Sequence, residues 1–259
     1  MLTFSETVNE PAAETSAWTV AGATVITVPG VEAGTTMTIT TTGLSSTSST
    51  PAVAYVAASG NLLDASAATN EMANGATANA ADQVPPTFTA DRTALNTVVL
   101  TFSETVTGTA ILNSFTVVGA SAVTNSAPSA STTVTLTTTG LTATDGTPNV
   151  GYVSATGDIK DNSVAQNEVA NGGAVAATDH VSPTFTAART ALNTVVLTFS
   201  ETVNEPAAET SAWTVAGATV ITVPGVEAGT TMTITTTGLS STSSTPAVAY
   251  VAASGNLLD

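Results

Sequence analysis

Carboxylates carry nearly all of the chemistry this sequence could perform. Asp82, Glu104, Asp161 and Glu168 recur at matching places as Asp179, Glu201 and Asp259 later in the chain, and as Glu6, Asp64 and Glu71 before it. Glu104 follows Val98, Leu100 and Phe102 in strict alternation, so a strand there turns it to the core side. An ionised carboxylate on a buried face costs several kcal/mol unless something neutralises it. The chain holds 19 Asp+Glu against 3 Lys+Arg, and Arg92, Lys160 and Arg189 are the whole basic supply. Backbone N–H groups, water at the domain edge or a metal ion must therefore do the work.

Clustered carboxylates with neither Cys nor a histidine cluster suit a hard cation, and calcium accepts about six to eight oxygens in flexible geometry. Calcium at Asp82, Glu104, Asp161 and Glu168, with Asp179, Glu201 and Asp259 as a second set and Glu6, Asp64 and Glu71 as a third, is one reading. In the other, Glu104 and its counterparts cap backbone N–H groups and the remaining acids are solvated. Glu10, Glu14, Glu205 and Glu209 lie in a loop whose counterpart Thr107-Gly108-Thr109 has no acid, and are expected to be solvated charges. The hydroxyl-rich runs Ser45–Thr50 and Ser240–Thr245 read as polar loops.

Other chemistry finds little support. His180 is the single histidine and there is no cysteine, which leaves no thiolate site, no disulfide and no histidine cluster. No glycine-rich loop follows a strand and opens a helix, so nucleotide binding has no anchor. Aromatic residues make up 4% of the chain, too few to line a sugar-binding cleft, and an enzyme is not expected. A formal net charge of −16 excludes a nucleic-acid partner and opposes anionic membrane surfaces. No apolar run approaches the roughly 18 residues of a membrane span.

The elements that must position these acids repeat. Leu2–Asp64 reappears letter for letter as Leu197–Asp259, a displacement of 197 − 2 = 195 residues. Between the copies lies a diverged version: Leu-Thr-Phe-Ser-Glu-Thr-Val opens at Leu2, Leu100 and Leu197, so the spacings are 98 and 97 residues. The expected units are 1–81, 82–178 and 179–259. Their phase predicts a first unit without its opening strand, a complete second, and a third without its closing strand, as in a segment of a longer array. In the middle unit, alternating Val, Thr and Ile broken by Gly, Pro and Asn predict strands near Thr87–Ala90, Thr97–Ser103, Phe115–Val118, Ala122–Thr124, Thr132–Thr137, Val150–Ser154 and Ala174–Ala177. About seven strands in about 100 residues predict an all-β, immunoglobulin-like sandwich in tandem. Trp18, Phe115 and Trp213 share one position and should be core aromatics.

The run Leu-Thr-Phe-Ser-Glu-Thr-Val, followed some fifty residues later by Gly60-Asn61-Leu62-Leu63-Asp64, resembles the bacterial and archaeal immunoglobulin-like repeats of S-layer proteins and giant surface adhesins. The resemblance covers all three units. It implies an extracellular structural spacer or lattice tile, frequently stiffened by calcium, whose partners are copies of itself or neighbouring repeats. An S-layer, sheath or surface filament is the leading expectation; an extender that projects a distal adhesive domain is the alternative.

Overall fold

The computed structural model describes residues 1–10, 14–142, 146–205, 209–240 and 244–259, and among these the chain forms strands of 2 to 12 residues and single-turn 3-10 segments. It is all-β and sandwich-like. Among the described residues no helix is long and apolar enough to cross a membrane. Three separate hydrophobic clusters hold it together, one in each repeat.

The middle repeat shows how the strands are laid out. One sheet runs in the order Ala122–Asn125, Ser131–Thr139, Thr97–Thr107, Phe88–Ala94, Thr178–Asp179. The facing sheet consists of Phe115–Val117, Asn149–Tyr152 and Gly172–Ala176. Each of the seven segments expected to be extended is a strand here, in several cases a longer one. Val98, Leu100, Val134 and Leu136 of the first sheet are fully buried against Phe115 and Tyr152 of the second. Threonines occupy the alternate, outward positions of Ser131–Thr139, where β-branching favours extended backbone. Phe115 sits 6.0 Å from Phe88 and 5.1 Å from Tyr152, ring centre to ring centre, so one aromatic ties the two layers together. Trp18 and Trp213 are buried at the equivalent position in the outer repeats.

Two irregularities prepare the site. Along Thr97–Thr107 the antiparallel register with Ser131–Thr139 is regular from Thr97 to Thr101 and then shifts before Val106. Past that shift the two-residue strand Lys160–Asp161 pairs with Val106 and Thr107 on the edge that Phe88–Ala94 occupies lower down. Glu104 lies between these two regimes. The last short strand, Thr178–Asp179, runs parallel to Phe88–Ala94, with Asp179 opposite Arg92.

The outer repeats use the same parts in different numbers. In the first, Leu2–Glu10 pairs with Val31–Met37 and Leu63–Asp64, while Ala52–Tyr55 lies between Trp18–Val20 and Thr77–Asn79. In the third, Thr194–Glu205 lies between Phe185–Ala191 and a continuous Val226–Thr237, and Trp213–Val215 pairs with Val248–Tyr250 alone.

Candidate metal centre

Three carboxylates meet at the end of the middle repeat that faces the first. Asp82, Glu104 and Asp161 each offer an oxygen, and these oxygens lie within 4.8 Å of one another. All three side chains are buried, Asp82 and Glu104 at 5% exposure and Asp161 at 0%. Alternation along Thr97–Thr107 turns Glu104 inward, and the pairing of Lys160–Asp161 onto the same strand delivers Asp161. Asp82 is fixed by an Asx turn in which its Oδ1 accepts the Val84 N–H at 3.0 Å. Asn167 stitches the second and third carriers together, donating through Nδ2 to Asp161 Oδ2 at 2.7 Å and to the Asp82 carbonyl at 3.3 Å.

The three acids are not equivalent. Asp161 Oδ1 accepts from the Ser163 N–H, the Ser163 hydroxyl and the Asn167 N–H. Burial pushes its carboxyl up, but the hydrogen bonds from Ser163 and Asn167 together outweigh burial and hold it below its ordinary value. Glu104 is raised, first by burial and then by the charges of Asp82 and Asp161, against a lowering hydrogen bond from Thr47. Glu104 Oε1 and Asp82 Oδ2 are buried without a hydrogen-bond donor. An ionised group in that state carries most of its desolvation penalty uncompensated. Two orphaned oxygens beside a charged, well-supported third carboxylate fit a divalent cation, which would supply the missing counter-charge to Asp82, Glu104 and Asp161.

The loop of the first repeat closes over this cluster. Thr47 Oγ1 lies 3.0 Å from Ser103 Oγ and within hydrogen-bond reach of Glu104, and its single proton goes to one of the two at a time. The hydroxyl-rich run Ser45–Thr50 is thus a contact between repeats as well as a polar loop.

The other expected ligands are placed differently. Glu168 does not join the cluster: it accepts the Tyr152 hydroxyl at 2.9 Å, because the isolated bridge between Lys160 and Glu168 turns it toward the second sheet. Asp179, Glu201 and Asp259 do not form a second group among the described residues. Asp179 keeps the Asx turn, accepting the Val181 N–H at 2.9 Å, and Glu201 is buried, but Asp259 is exposed. Glu6, Asp64 and Glu71 line one shallow cleft of about 160 Å³ without coming within mutual ligand reach. Glu6 and Glu71 are exposed, and Asp64 is held by Ser66 and Asn70, whose hydrogen bonds lower its carboxyl.

Two features escape the pattern of the sequence. Glu10 and Glu205, expected in solvent, are 3% and 2% exposed. Each ends an alternating strand in phase with Val8 or Val203, which packs it beneath a tryptophan; Trp213 Nε1 donates to Glu205 Oε1 at 3.3 Å. Burial first, and the neighbouring Glu14 charge second, push the Glu10 carboxyl up to about 7. The in-phase alternation was the available signal. Arg92, in turn, is 1% exposed and donates to the carbonyls of Gly146 (3.0 Å) and Leu95 (2.9 Å), so it binds backbone in place of the acidic cluster.

No family model, curated protein or solved structure matches this chain.

Proposed function

We propose that the chain is a structural repeat region of an extracellular surface assembly, built from tandem immunoglobulin-like units and stiffened by calcium where the first unit meets the second. The observation that carries this reading is the buried Asp82–Glu104–Asp161 group, orphaned oxygens included, with Thr47 of the preceding repeat bonded to its rim. An ion there neutralises like charges that otherwise repel, and it stabilises the docked position of the Ser45–Thr50 loop. A junction so held transmits force and orientation from one unit to the next, which is what an S-layer, sheath or filament requires. Supporting it are the letter-for-letter repetition of Leu2–Asp64, which serves length and stiffness, and an acidic, weakly charged, threonine-rich surface.

Differential scanning calorimetry and small-angle scattering in calcium and in EDTA test the reading. Calcium should raise the melting temperature and narrow the distribution of end-to-end lengths. Unchanged melting and unchanged length distribution in the two buffers would sink it. Concentration-dependent assembly of the calcium-loaded chain would favour a lattice or filament; a monomer at every concentration would favour an adhesin extender.

A further inference from the structure

Two acids of the first repeat meet without a counter-charge between them. Glu10 closes the strand Leu2–Glu10 on its inner face; it is 3% exposed, and neither of its carboxylate oxygens has a hydrogen-bond donor. Glu14, half-buried, precedes the 3-10 turn Thr15–Ala17 and lies against Glu10, close enough to act on it as a charge and as a hydrogen-bonding group. Asn61 completes the group from the turn that follows Ala57–Ser59. Its backbone N–H donates to Glu14 Oε2 at 3.0 Å, and the end of its carboxamide lies 3.0 and 3.1 Å from Glu14 Oε1 and Oε2. Gly60 permits that approach, since a Cβ there would sit 2.6 Å from the Ala17 Cβ. Leu2–Asp64 contains no Lys, Arg or His, so no basic side chain of this segment can neutralise the pair.

The group is built twice. In the third repeat Glu205 is 2% exposed with its Oε2 unpaired, and Glu209 acts on it as Glu14 acts on Glu10. Asn256 donates its backbone N–H to Glu209 Oε2 at 3.1 Å, with the end of its carboxamide 2.9 and 3.0 Å from that carboxylate. The two copies have different side neighbours, so the grouping belongs to the segment itself. The middle repeat is built otherwise. Gly108 stands at the place of Glu10 and Asp158 at that of Asn61, and the Thr109 N–H and hydroxyl donate to that single carboxylate at 3.0 and 2.7 Å. There one acid is matched by protein donors; in the outer repeats a buried acid faces a second acid and keeps an oxygen unmatched.

We propose that Glu10, Glu14 and Asn61, and identically Glu205, Glu209 and Asn256, form a second kind of cation site, one inside each outer repeat, for a hard divalent ion such as calcium. Carboxylate and carboxamide oxygens are the donors such ions take, and the remaining positions fall to water. The carboxamide can turn either edge to the half-buried acid. Its nitrogen donates to that carboxylate; its oxygen joins the two carboxylates as a third ligand. Half-buried Glu14 and exposed Asn61 leave a path from solvent to the buried oxygens of Glu10. An ion held there ties the end of Leu2–Glu10 to two turns of the same repeat. The Asp82–Glu104–Asp161 group lies instead where two repeats meet, and the inner sites stand whether or not that junction binds calcium.

Trp18 and Trp213 are the two tryptophans of the chain, and each lies against one of these pairs, Trp213 Nε1 at 3.3 Å from Glu205 Oε1. Terbium(III) luminescence excited through tryptophan therefore reads the inner sites. Titration of the whole chain with terbium should give saturable sensitised emission that calcium displaces. Glu10→Gln combined with Glu205→Gln should weaken terbium binding at least about tenfold, because the number of charged ligands sets affinity at oxygen sites. Glu104→Gln should leave the emission in place, while its effect on calcium-dependent melting reports the junction separately. Asn61→Asp combined with Asn256→Asp adds a carboxylate and should tighten terbium binding about tenfold; an acid pair with a purely structural role would gain no affinity. Near-UV circular dichroism of the tryptophans identifies any variant that fails to fold, and the other pair of substitutions then decides. Absent sensitised emission, emission that calcium does not displace, equal binding by the folded Glu10→Gln/Glu205→Gln chain, no tightening in the folded Asn61→Asp/Asn256→Asp chain, or emission lost with Glu104→Gln would each overturn the proposal.

Discussion

Leu2–Asp64 and Leu197–Asp259 are the same sequence folded twice in one molecule, with different neighbours. The later copy has Phe185–Ala191 at its side; the earlier copy has Thr77–Asn79 at the opposite edge. Each neighbour buries its own side. With the first, Leu197 and Ile234 leave solvent entirely and Val226–Thr237 runs as one strand. Without it, the same residues form two separate strands, Val31–Met37 and Thr40–Thr42. With the second, Tyr55 is 0% exposed and Leu62 1%; without it, Tyr250 and Leu257 are half-buried. The acid at the strand end follows the same rule, since Glu201 is 3% exposed while Glu6 is exposed. Local sequence makes the strands and a core in each copy, and the side neighbour decides which side of that core is covered.

The hardest blow to that comparison is Phe185→Ala, which removes the ring wedged between Phe199 and Trp213. The third repeat should lose about 3–5 kcal/mol in urea unfolding followed by hydrogen exchange, while the first repeat stays put. Equal loss in both would mean that the repeats fold as one unit.

A pH series examines what the copies share. The Glu10 carboxyl lies at about 7 when folded against 4.5 as its ordinary value, and Glu205 is raised in the same direction, burial being the main cause in each. The protonated form is therefore preferred in the folded chain. Its stabilising contribution is complete below about pH 4.5 and is lost as pH rises through about 7. Both outer repeats should melt lower at pH 8 than at pH 5.5, and carboxyl-carbon NMR should show Glu10 titrating near neutrality. The middle repeat has Gly108 at that place and should show no titrating counterpart of Glu10 there.

Glu104→Gln sharpens the contrast between buried and exposed acids. Removing a raised, buried charge should stabilise the chain by about 1 kcal/mol in EDTA. It should also abolish most of the melting increase produced by calcium. The matching Glu6→Gln, at an exposed position, should move stability by less than about 0.5 kcal/mol in either buffer. A larger Glu6 effect would mean that the open repeat builds its own ion site.

Much of this was written along the chain. Alternation at Val98, Leu100, Phe102 and Glu104 announces a strand with an acid on its inner face, and the structure places all four inside. The same alternation announces Glu10, but its position in an acid-rich loop suggests solvent, and only the packing under Trp18 shows otherwise. Glu168 shows the reverse failure. It lies near Asp161 in sequence, yet the intervening turn carries it to the Tyr152 hydroxyl on the other sheet. Sequence proximity sets how far apart two groups can be, not which way each one points.

By itself, the sequence determined the all-β class, the positions of the strands and which face of each is apolar. These follow from the two-residue period of extended backbone and from the preference of Val, Ile and Thr for it. It also determined that the inner acids would lack basic partners, since so few exist. Only the tertiary structure decided which three carboxylates meet and that Thr47 of one repeat bonds the rim of the next. Those outcomes depend on register shifts and on contacts between residues tens of positions apart, as between Thr47 and Ser103, and no local pattern encodes them.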